Sequence, residues 1–280
     1  MKVLLTGGTG YIGGAVLTEL VAAGHEVVAA VRSDTAGQAV GAAGATAAIG
    51  DLTDVGWLSE QLSDVDAAIH TASPGDASSA AFDTAVADAV IGAFGGTPKP
   101  YLHTSGVWIW GNGSDLTEDG VLSPPDIVSW RLPLERRLLD SDVAVTLPAP
   151  GVVFGNRQGI VATLLPAGHD GVVPLVGTGD QHWTLVHVDD LAKLYVLLLQ
   201  ADSPAGHVLG VSGLNATVRE IAAARSPQAT LTPETTDESG ARLGELFAEA
   251  LLLDQQASGS KARSLGWTPR YTSLDDVARS

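Results

Sequence analysis

The chain has 280 residues, 45% of them hydrophobic and 17% charged, so it can bury a large core in one or two domains. Its formal net charge of −17 repels phosphate backbones and anionic lipids, so we expect neither nucleic-acid nor membrane partners. There is no cysteine, which excludes disulfides, thiolate nucleophiles and cysteine-ligated metals, and we predict no metal site.

The first half of the chain alternates short β-branched runs with helical patterns, which is typical of a parallel sheet with helices on both faces. A helix is predicted from Tyr11 to Gly24, because glycine commonly ends helices. We therefore predict an α/β fold, a doubly wound parallel sheet of the Rossmann type with a smaller C-terminal substrate lobe. The predicted strands are residues 2–5, 26–31, 45–49, 66–72, 101–110 and 143–155.

After residue 155 this alternation stops, and Gly and Pro become frequent before a clear helix at 188–201. The first residues form too short an apolar run for a signal peptide, and no stretch approaches the roughly 18 apolar residues of a membrane span. We therefore expect a cytoplasmic protein. The predicted domains are a dinucleotide-binding core over 1–155, to which 186–212 return, and a small substrate-binding lobe over 156–185 and 213–280.

Three glycines separate the first strand from the first helix. Gly7, Gly10 and Gly13 have G-x-x-G-x-x-G spacing, which lets the backbone adopt positive φ and lets a pyrophosphate approach without a Cβ in the way. The helix after this loop presents N–H groups and a positive dipole end to the phosphates. The same triplet could be an ordinary glycine-rich turn, but its place between strand and helix favours a dinucleotide.

The residue that ends the second strand distinguishes two cofactors. An acidic residue there bonds the ribose 2′-hydroxyl of NAD, whereas an arginine pairs with the 2′-phosphate of NADP. Arg32 stands at that position, Ser33 can add a hydrogen bond, and Asp34 lies two positions after Arg32. We predict NADP (NADPH) as the cofactor, with NAD as the alternative. Arg32 could also be an ordinary solvated charge on the surface.

Seven short motifs succeed one another along the chain: "TGGTGYIG", "GDLTD", "IHTAS", "HTSGVWIWG", "PGVVFG", "VHVDDLA" and "KARSLGWTPR". In these motifs and their order, most of the chain resembles the extended or atypical short-chain dehydrogenase/reductase family, whose members are NAD-dependent epimerase/dehydratase-like. One departure precedes the fifth motif, where Ala149 replaces the arginine of the family.

The resemblance implies a set of cofactor contacts. Asp51 and Leu52 would contact the adenine, and Thr71 to Ser73 would line the nicotinamide ribose. Backbone from Pro150 to Val153 would meet the nicotinamide amide. The full predicted set is Gly7, Thr9, Gly10, Tyr11, Ile12, Gly13, Arg32, Ser33, Asp51, Leu52, Thr71, Ala72, Ser73, Thr104, Arg131, Pro150 and Val153.

Members of this family that reduce carbonyls use a serine, a tyrosine and a lysine. Ser105 matches the serine, whose hydroxyl would bond the substrate oxygen. The helix that should carry Tyr-x-x-x-Lys, in "PPDIVSWRLPLERRLL", has neither residue. Aligned on the preceding prolines, Trp130 takes the tyrosine position and Leu134 the lysine position.

Aligned instead on the glutamate Glu135, Ile127 replaces the tyrosine and Arg131 the lysine, which keeps a cation beside the ribose. Neither alignment supplies an acidic phenol, and arginine does not relay protons. Pro133 should interrupt this helix. Besides Ser105, Trp130 and Arg131, His103 is a candidate catalytic residue, because on a strand it would share a face with Ser105.

Three functions remain open at this level. The first is an NADPH-dependent oxidoreductase that reduces a C=O or C=N bond of a small molecule. Trp108, Trp110, Trp130 and Trp183 fall in segments near the predicted cleft, which suggests an aromatic or apolar substrate, although core packing explains them equally well. The second is an NADP-binding sensor or scaffold without turnover, and the third a redox-neutral epimerase or cyclase. The oligomeric state, monomer or homodimer, is left open.

Overall fold

The computed structural model describes the whole chain, Met1–Ser280. A seven-stranded central sheet has the strand order β11-β7-β5-β4-β1-β2-β3, and β1 to β5 and β7 pair in parallel. The predicted doubly wound α/β fold is confirmed. The sheet comprises β1 (Lys2–Thr6), β2 (Glu26–Val31), β3 (Thr46–Ile49), β4 (Ala67–His70), β5 (Pro100–His103), β7 (Ala144–Pro150) and β11 (Gly206–Gly210).

The order of the strands reverses at β1, whose neighbours are β2 on one side and β4 on the other. In open α/β sheets, ligands bind outside the carboxyl ends of the strands at this switch point. Four residues of β1 are buried, because a parallel strand covered on both faces is a continuous apolar run. The helices of the first half are α1 (Tyr11–Ala22), α2 (Asp34–Ala42), α3 (Val55–Ser63) and α4 (Ser79–Phe94).

The chain divides into two compact units, and each is built from three separate stretches of sequence. The dinucleotide-binding core was predicted over 1–155. Within that range, residues 106–129 and 149–155 belong to the second unit instead. The first unit holds most of the central sheet, and its core includes Leu4, Leu58 and Phe94. It consists of Met1–Ser105, Trp130–Pro148 and Ala192–Val208, and the second of Gly106–Ser129, Ala149–Leu191 and Leu209–Ser280.

The second unit contains three small sheets around its own apolar core. They pair β12-β10-β8, β13-β9 and β14-β6. Its strands are β6 (Gly113–Leu116), β8 (Val152–Phe154), β9 (Val172–Pro174), β10 (His182–His187), β12 (Asn215–Thr217), β13 (Thr230–Thr232) and β14 (Gln255–Ala257), and its helices α7 (Gly159–Leu164), α9 (Val218–Arg225), α10 (Thr236–Leu243), α11 (Glu245–Leu251), α12 (Ser260–Ser264) and α13 (Leu274–Arg279). Helix α8 (Val188–Leu199) begins in this unit and ends in the first.

Two predicted strands are shorter than expected. The strand predicted over 101–110 ends at His103, and Val107–Trp110 form a 3₁₀ helix, so Trp108 and Trp110 do not share a strand face. The strand predicted over 143–155 is interrupted at Gly151, where a Cβ would lie 2.4 Å from the carbonyl oxygen of Thr184. The chain therefore leaves the central sheet there and continues as β8 in a different sheet.

The helix that corresponds to the family's Tyr-x-x-x-Lys helix is interrupted, as Pro133 predicted. It forms α5 (Asp126–Ser129) and α6 (Arg131–Leu139), separated by Trp130 alone. Pro133 lies in the first turn of α6, where backbone N–H groups have no partner within the helix, so its missing donor is tolerated. None of the helices combines the length and the apolar character that crossing a bilayer requires.

A buried carboxylate in the second unit fixes the segment that precedes α13. Asp190 is fully buried, and its Oδ2 accepts the backbone N–H groups of Arg270 and Tyr271 at 2.7 and 2.9 Å. The indole of Trp267 donates to the Asp190 backbone carbonyl at 2.8 Å. The "VHVDDLA" motif is thus bound by two hydrogen bonds to the "GWTPR" segment and by a third to Tyr271, the residue that follows it.

We expect Asp190→Ala to lower the free energy of unfolding by about 3 kcal/mol, because two partly buried N–H groups lose their buried acceptor. Urea unfolding measures this loss. The control is Asp189→Ala, which removes a neighbouring carboxylate that is 45% exposed and should cost less than about 0.5 kcal/mol. Equal losses for the two variants would contradict the anchoring role.

Candidate cofactor and active site

The glycine loop between β1 and α1 packs too closely for side chains. Gly7 has a φ of +77°, and its carbonyl accepts the N–H of Gly10 at 2.8 Å. A Cβ on Gly7 would lie 2.6 Å from the amide nitrogen of Ala72, and one on Gly13 would lie 2.1 Å from the Gly7 carbonyl oxygen. Only glycine fits at these two positions, as a backbone cradle for a pyrophosphate requires.

This loop forms one wall of a cleft of about 400 Å³ in the first unit. No side chain caps the amino terminus of α1, and no acidic residue lies in its first turn, so nothing competes with an anion there. The cleft brings together much of the predicted set and adds residues that the sequence did not suggest. It is lined by Gly7, Thr9, Gly10, Tyr11, Ile12, Gly13, Ala30, Val31, Arg32, Leu52, Thr71, Ala72, Ser73, Pro74 and Phe82.

Arg32 lies directly after β2, and its exposed side chain lines the cleft. Ser33 does not line the cleft; its Oγ accepts the N–H of Ala36 and caps α2. Asp51 lies outside the lining too, and its Oδ1 accepts the N–H and hydroxyl of Thr53 at 2.9 and 2.8 Å. These bonds, with the charge of Arg32, hold the pKa of Asp51 below its usual value, so Asp51 stays ionised. Of the residues that line the cleft, Arg32 alone carries a charge.

Arg131 is held on three sides. Its Nη1 donates to the carbonyl oxygen of Thr104 at 2.9 Å, and its guanidinium carbon lies 4.6 Å from the ring centroid of Trp130. The same Nη1 lies 3.8 Å from a carboxylate oxygen of Asp83, and the Arg131 side chain is only 15% exposed. A guanidinium stacked on an indole and facing a carboxylate keeps a defined orientation.

Ser105 lies next to the residue that Arg131 contacts. Its backbone N–H donates to the Pro148 carbonyl at 2.8 Å, whereas its buried Oγ has no hydrogen-bond partner. A buried hydroxyl without a partner costs about 1–3 kcal/mol, and a ligand oxygen would remove that cost. Pro150 and Val153, the other predicted contacts of the nicotinamide half, lie in the second unit.

His103 points into the core of the first unit and is completely buried. Its Nδ1 lies 2.9 Å from the hydroxyl of Tyr101, and its ring stacks on His70 at 5.1 Å. Burial and the neighbouring His70 lower the pKa of His103 to about 3, so the imidazole is neutral at physiological pH. These facts correct its assignment as a candidate proton donor, which assumed that the strand continues to Ser105.

The tryptophans fill cores rather than line a cleft. Trp110 and Trp183 are buried in the second unit, and the indole of Trp183 donates to the Leu251 carbonyl at 2.9 Å. Trp108 packs edge-on against Phe247, with ring centroids 6.0 Å apart. The core-packing interpretation therefore holds for these three, and they give no support for an aromatic substrate.

Comparison with known proteins identifies the cleft. Residues 7–96 match the family model described as NAD(P)H-binding. A human epimerase family protein solved with NADPH superposes with a TM-score of 0.76, at 21% identity over 100% of this chain and 98% of that one. The chain therefore contains an NAD(P)H-binding domain, and it shares its Rossmann-like α/β fold with this epimerase family protein. Other structures of the same fold were solved with NAD, so the likeness alone does not distinguish the two cofactors.

The sequence relatives of this chain are distant. An uncharacterised protein of Schizosaccharomyces pombe is 27% identical over 98% of this chain and 97% of its own length. The 2-alkyl-3-oxoalkanoate reductase of Stenotrophomonas maltophilia is 27% identical over 75% of this chain and 68% of its own. These relatives are in keeping with a nucleotide-dependent oxidoreductase fold.

Two buried polar residues were not predicted from the sequence. Asp83 on α4 and His70 at the end of β4 are both buried, and Asp83 Oδ1 lies 3.2 Å from His70 Nε2. The signal was present, because Asp83 shares the 3.6-residue period of the buried Val86, Ala87 and Val90. A carboxylate on the apolar face of a helix indicates a buried partner.

Gly13→Ala tests the cradle. We expect it to raise the dissociation constant for NAD(P)H by at least about tenfold and to lower stability by about 1–3 kcal/mol, because the new methyl displaces the Gly7 carbonyl. Titration of nicotinamide fluorescence and thermal unfolding measure both. In the matched control Gly14→Ala, the Cβ comes no closer than 3.5 Å to any atom, and helix propensity should stabilise by about 0.5–1 kcal/mol. Unchanged affinity in Gly13→Ala would refute the cradle.

Proposed function

We propose that the protein is an NADPH-dependent reductase of the atypical short-chain type, which reduces a C=O or C=N bond of a small molecule. The observation that carries this proposal is the placement of Arg131 against the backbone next to Ser105. The guanidinium of Arg131 bonds the carbonyl of Thr104, the residue that precedes Ser105, and the Ser105 hydroxyl is free to bond a ligand. A cation beside a serine at the end of β5 is the arrangement that the family resemblance leads us to expect.

The residues of the cleft fit a dinucleotide. The cradle at Gly7 and Gly13 leaves no room for a Cβ, and the uncapped amino terminus of α1 offers its dipole to the pyrophosphate. Leu52 would contact the adenine, and Thr71 to Ser73 would line the ribose of the nicotinamide half. We infer that Arg131 replaces the lysine of the family and bonds that ribose.

The preference for NADP over NAD rests on Arg32. A guanidinium binds a phosphate by charge-assisted hydrogen bonds, whereas the 2′-hydroxyl of NAD is best bonded by a carboxylate. No acidic residue lines the cleft, and the Oδ1 of Asp51 already accepts a hydrogen bond from Thr53. The net charge of −17 makes a local cation more important for an anionic ligand.

In this proposal NADPH supplies the hydride when bound. Ser105 donates a hydrogen bond to a carbonyl oxygen, or accepts one from the N–H of a protonated imine. Arg131 fixes the cofactor and adds positive potential where a carbonyl oxygen gains negative charge. Arginine keeps its proton, so the proton comes from water. A protonated imine carries its proton already, which makes a C=N substrate the one best suited to these residues.

A sensor that binds NADP without turnover is the second candidate. It is favoured by the state of the tyrosines in the first unit: the hydroxyl of Tyr101 contacts His103, and that of Tyr195 contacts Thr104 at 2.7 Å. Burial raises the pKa of both phenols, so neither replaces the missing acid. Without any acid, binding could occur without chemistry.

Arg32→Ala tests the cofactor preference. We expect the dissociation constant for NADPH to rise about 10–100-fold, the cost of a lost charge-assisted bond, and that for NADH to change less than about twofold. Isothermal titration with both nucleotides gives the ratio. The control is Arg136→Ala, which removes a guanidinium that is 83% exposed on α6 and should leave both constants unchanged. Equal weakening for both nucleotides by Arg32→Ala would refute NADP selectivity.

Turnover separates the reductase from the sensor. We expect purified protein to oxidise NADPH with members of a panel of aldehydes, ketones and cyclic imines, monitored by loss of absorbance, with imines fastest. Ser105→Ala should lower kcat by about 100-fold, because one preorganised donor is lost, while NADPH still binds. Tight binding of NADPH with no oxidation by any member of the panel would favour the sensor.

A further inference from the structure

A buried carboxylate stands behind Arg131. The Asp83 side chain is only 3% exposed, and it faces His70, His103 and Arg131 at 3.2, 3.6 and 3.8 Å. Burial opposes its ionisation, but the hydrogen bond with His70 and the nearby positive charge outweigh it and hold the pKa of Asp83 below its usual value. Asp83 is therefore a buried anion, which needs partners to offset its desolvation.

A chain of hydrogen bonds runs from the cleft wall to this anion. The backbone N–H groups of Thr71 and Ala72 donate to Thr6 Oγ1, which lies 2.7 Å from His70 Nδ1. Because an ionised carboxylate only accepts, His70 Nε2 donates to Asp83, while Nδ1 bonds the hydroxyl of Thr6. This series of hydrogen bonds ties the position of Asp83 to that of the cleft wall.

We propose that Asp83 is a positioning residue for the cofactor: it holds the guanidinium of Arg131 in the orientation that bonds the nicotinamide ribose. This inference rests on the proposed NADPH-dependent function. Asp83 touches neither cofactor nor substrate in this role and acts only through Arg131. The carboxylate also accounts for an arginine where the family has lysine, because a planar guanidinium contacts Trp130, Thr104 and Asp83 at once.

Asp83→Asn keeps the shape of the side chain and removes the charge. We expect the dissociation constant for NADPH to rise about tenfold, the order of coupling between neighbouring charged groups, while that for 2′,5′-ADP stays the same. The second ligand lacks the nicotinamide half, so it reports the Arg32 end alone. In an Arg131→Met background, Asp83→Asn should have no further effect on the NADPH constant.

The matched control is Glu135→Gln. Glu135 is also a buried carboxylate of the first unit bonded to a histidine, with Oε2 2.8 Å from His207 Nε2. We expect its loss to lower the melting temperature and to leave the ratio of the NADPH and 2′,5′-ADP constants unchanged. If Asp83→Asn does not fold, Arg131→Lys is measured instead, because it keeps the cation but cannot contact all three partners, and the same tenfold change in the ratio is expected.

The results distinguish the positioning role of Asp83 from the proposed NADPH-dependent function on which it rests. A changed ratio that disappears in the Arg131→Met background supports positioning by Asp83. An unchanged ratio in Asp83→Asn, an equal weakening of both ligands, or the same change in Glu135→Gln overturns the positioning role and leaves the proposed function standing. Failure of the wild-type protein to bind NADPH overturns both.

Discussion

The carboxyl end of β4 lies so close to the glycine loop that no side chain fits between them. A Cβ on Gly7 would clash with the backbone of Ala72, and a Cβ on Gly13 would clash with the carbonyl of Gly7. The hydroxyl of Thr71 also donates to the Thr6 carbonyl at 2.7 Å. This contact brings the amino terminus of α1 and the end of β4 to one cleft. Everything proposed for the cofactor depends on it, because only bare backbone can approach a pyrophosphate closely enough to bond it.

Charge then decides which ligand the cleft accepts. A chain with a net charge of −17 repels a dinucleotide at long range, so binding depends on cations at short range. Arg32 is exposed at one end of the cleft and is free to meet a phosphate. Arg131 is largely buried and already faces Asp83. Arg32 therefore supplies attraction for an anionic ligand. Arg131 is oriented by Asp83 and supplies a hydrogen-bond donor in a fixed direction.

Local sequence patterns predicted the elements that they control and failed where tertiary contacts decide. The strands up to β4, the glycine loop and the place of Arg32 are evident from apolar runs and glycine spacing. The end of β5 at His103 is not, because a strand stops where its neighbour β4 stops pairing, and that information is not local. The same error placed His103 beside Ser105. Asp83 was missed because a carboxylate is expected on a helix surface, and its burial depends on His70, which is distant in sequence.

The missing phenol limits the chemistry more than the cofactor does. Tyr101 and Tyr195 keep their hydroxyls inside the core, where burial raises their pKa, and His103 is neutral. A carbonyl that accepts hydride becomes an alkoxide, which needs a proton or a strong counter-charge. An iminium ion becomes a neutral amine and needs neither. In the proposed function, Ser105 and Arg131 stabilise developing negative charge but supply no proton, so a carbonyl substrate takes its proton from water, whereas an iminium ion needs none.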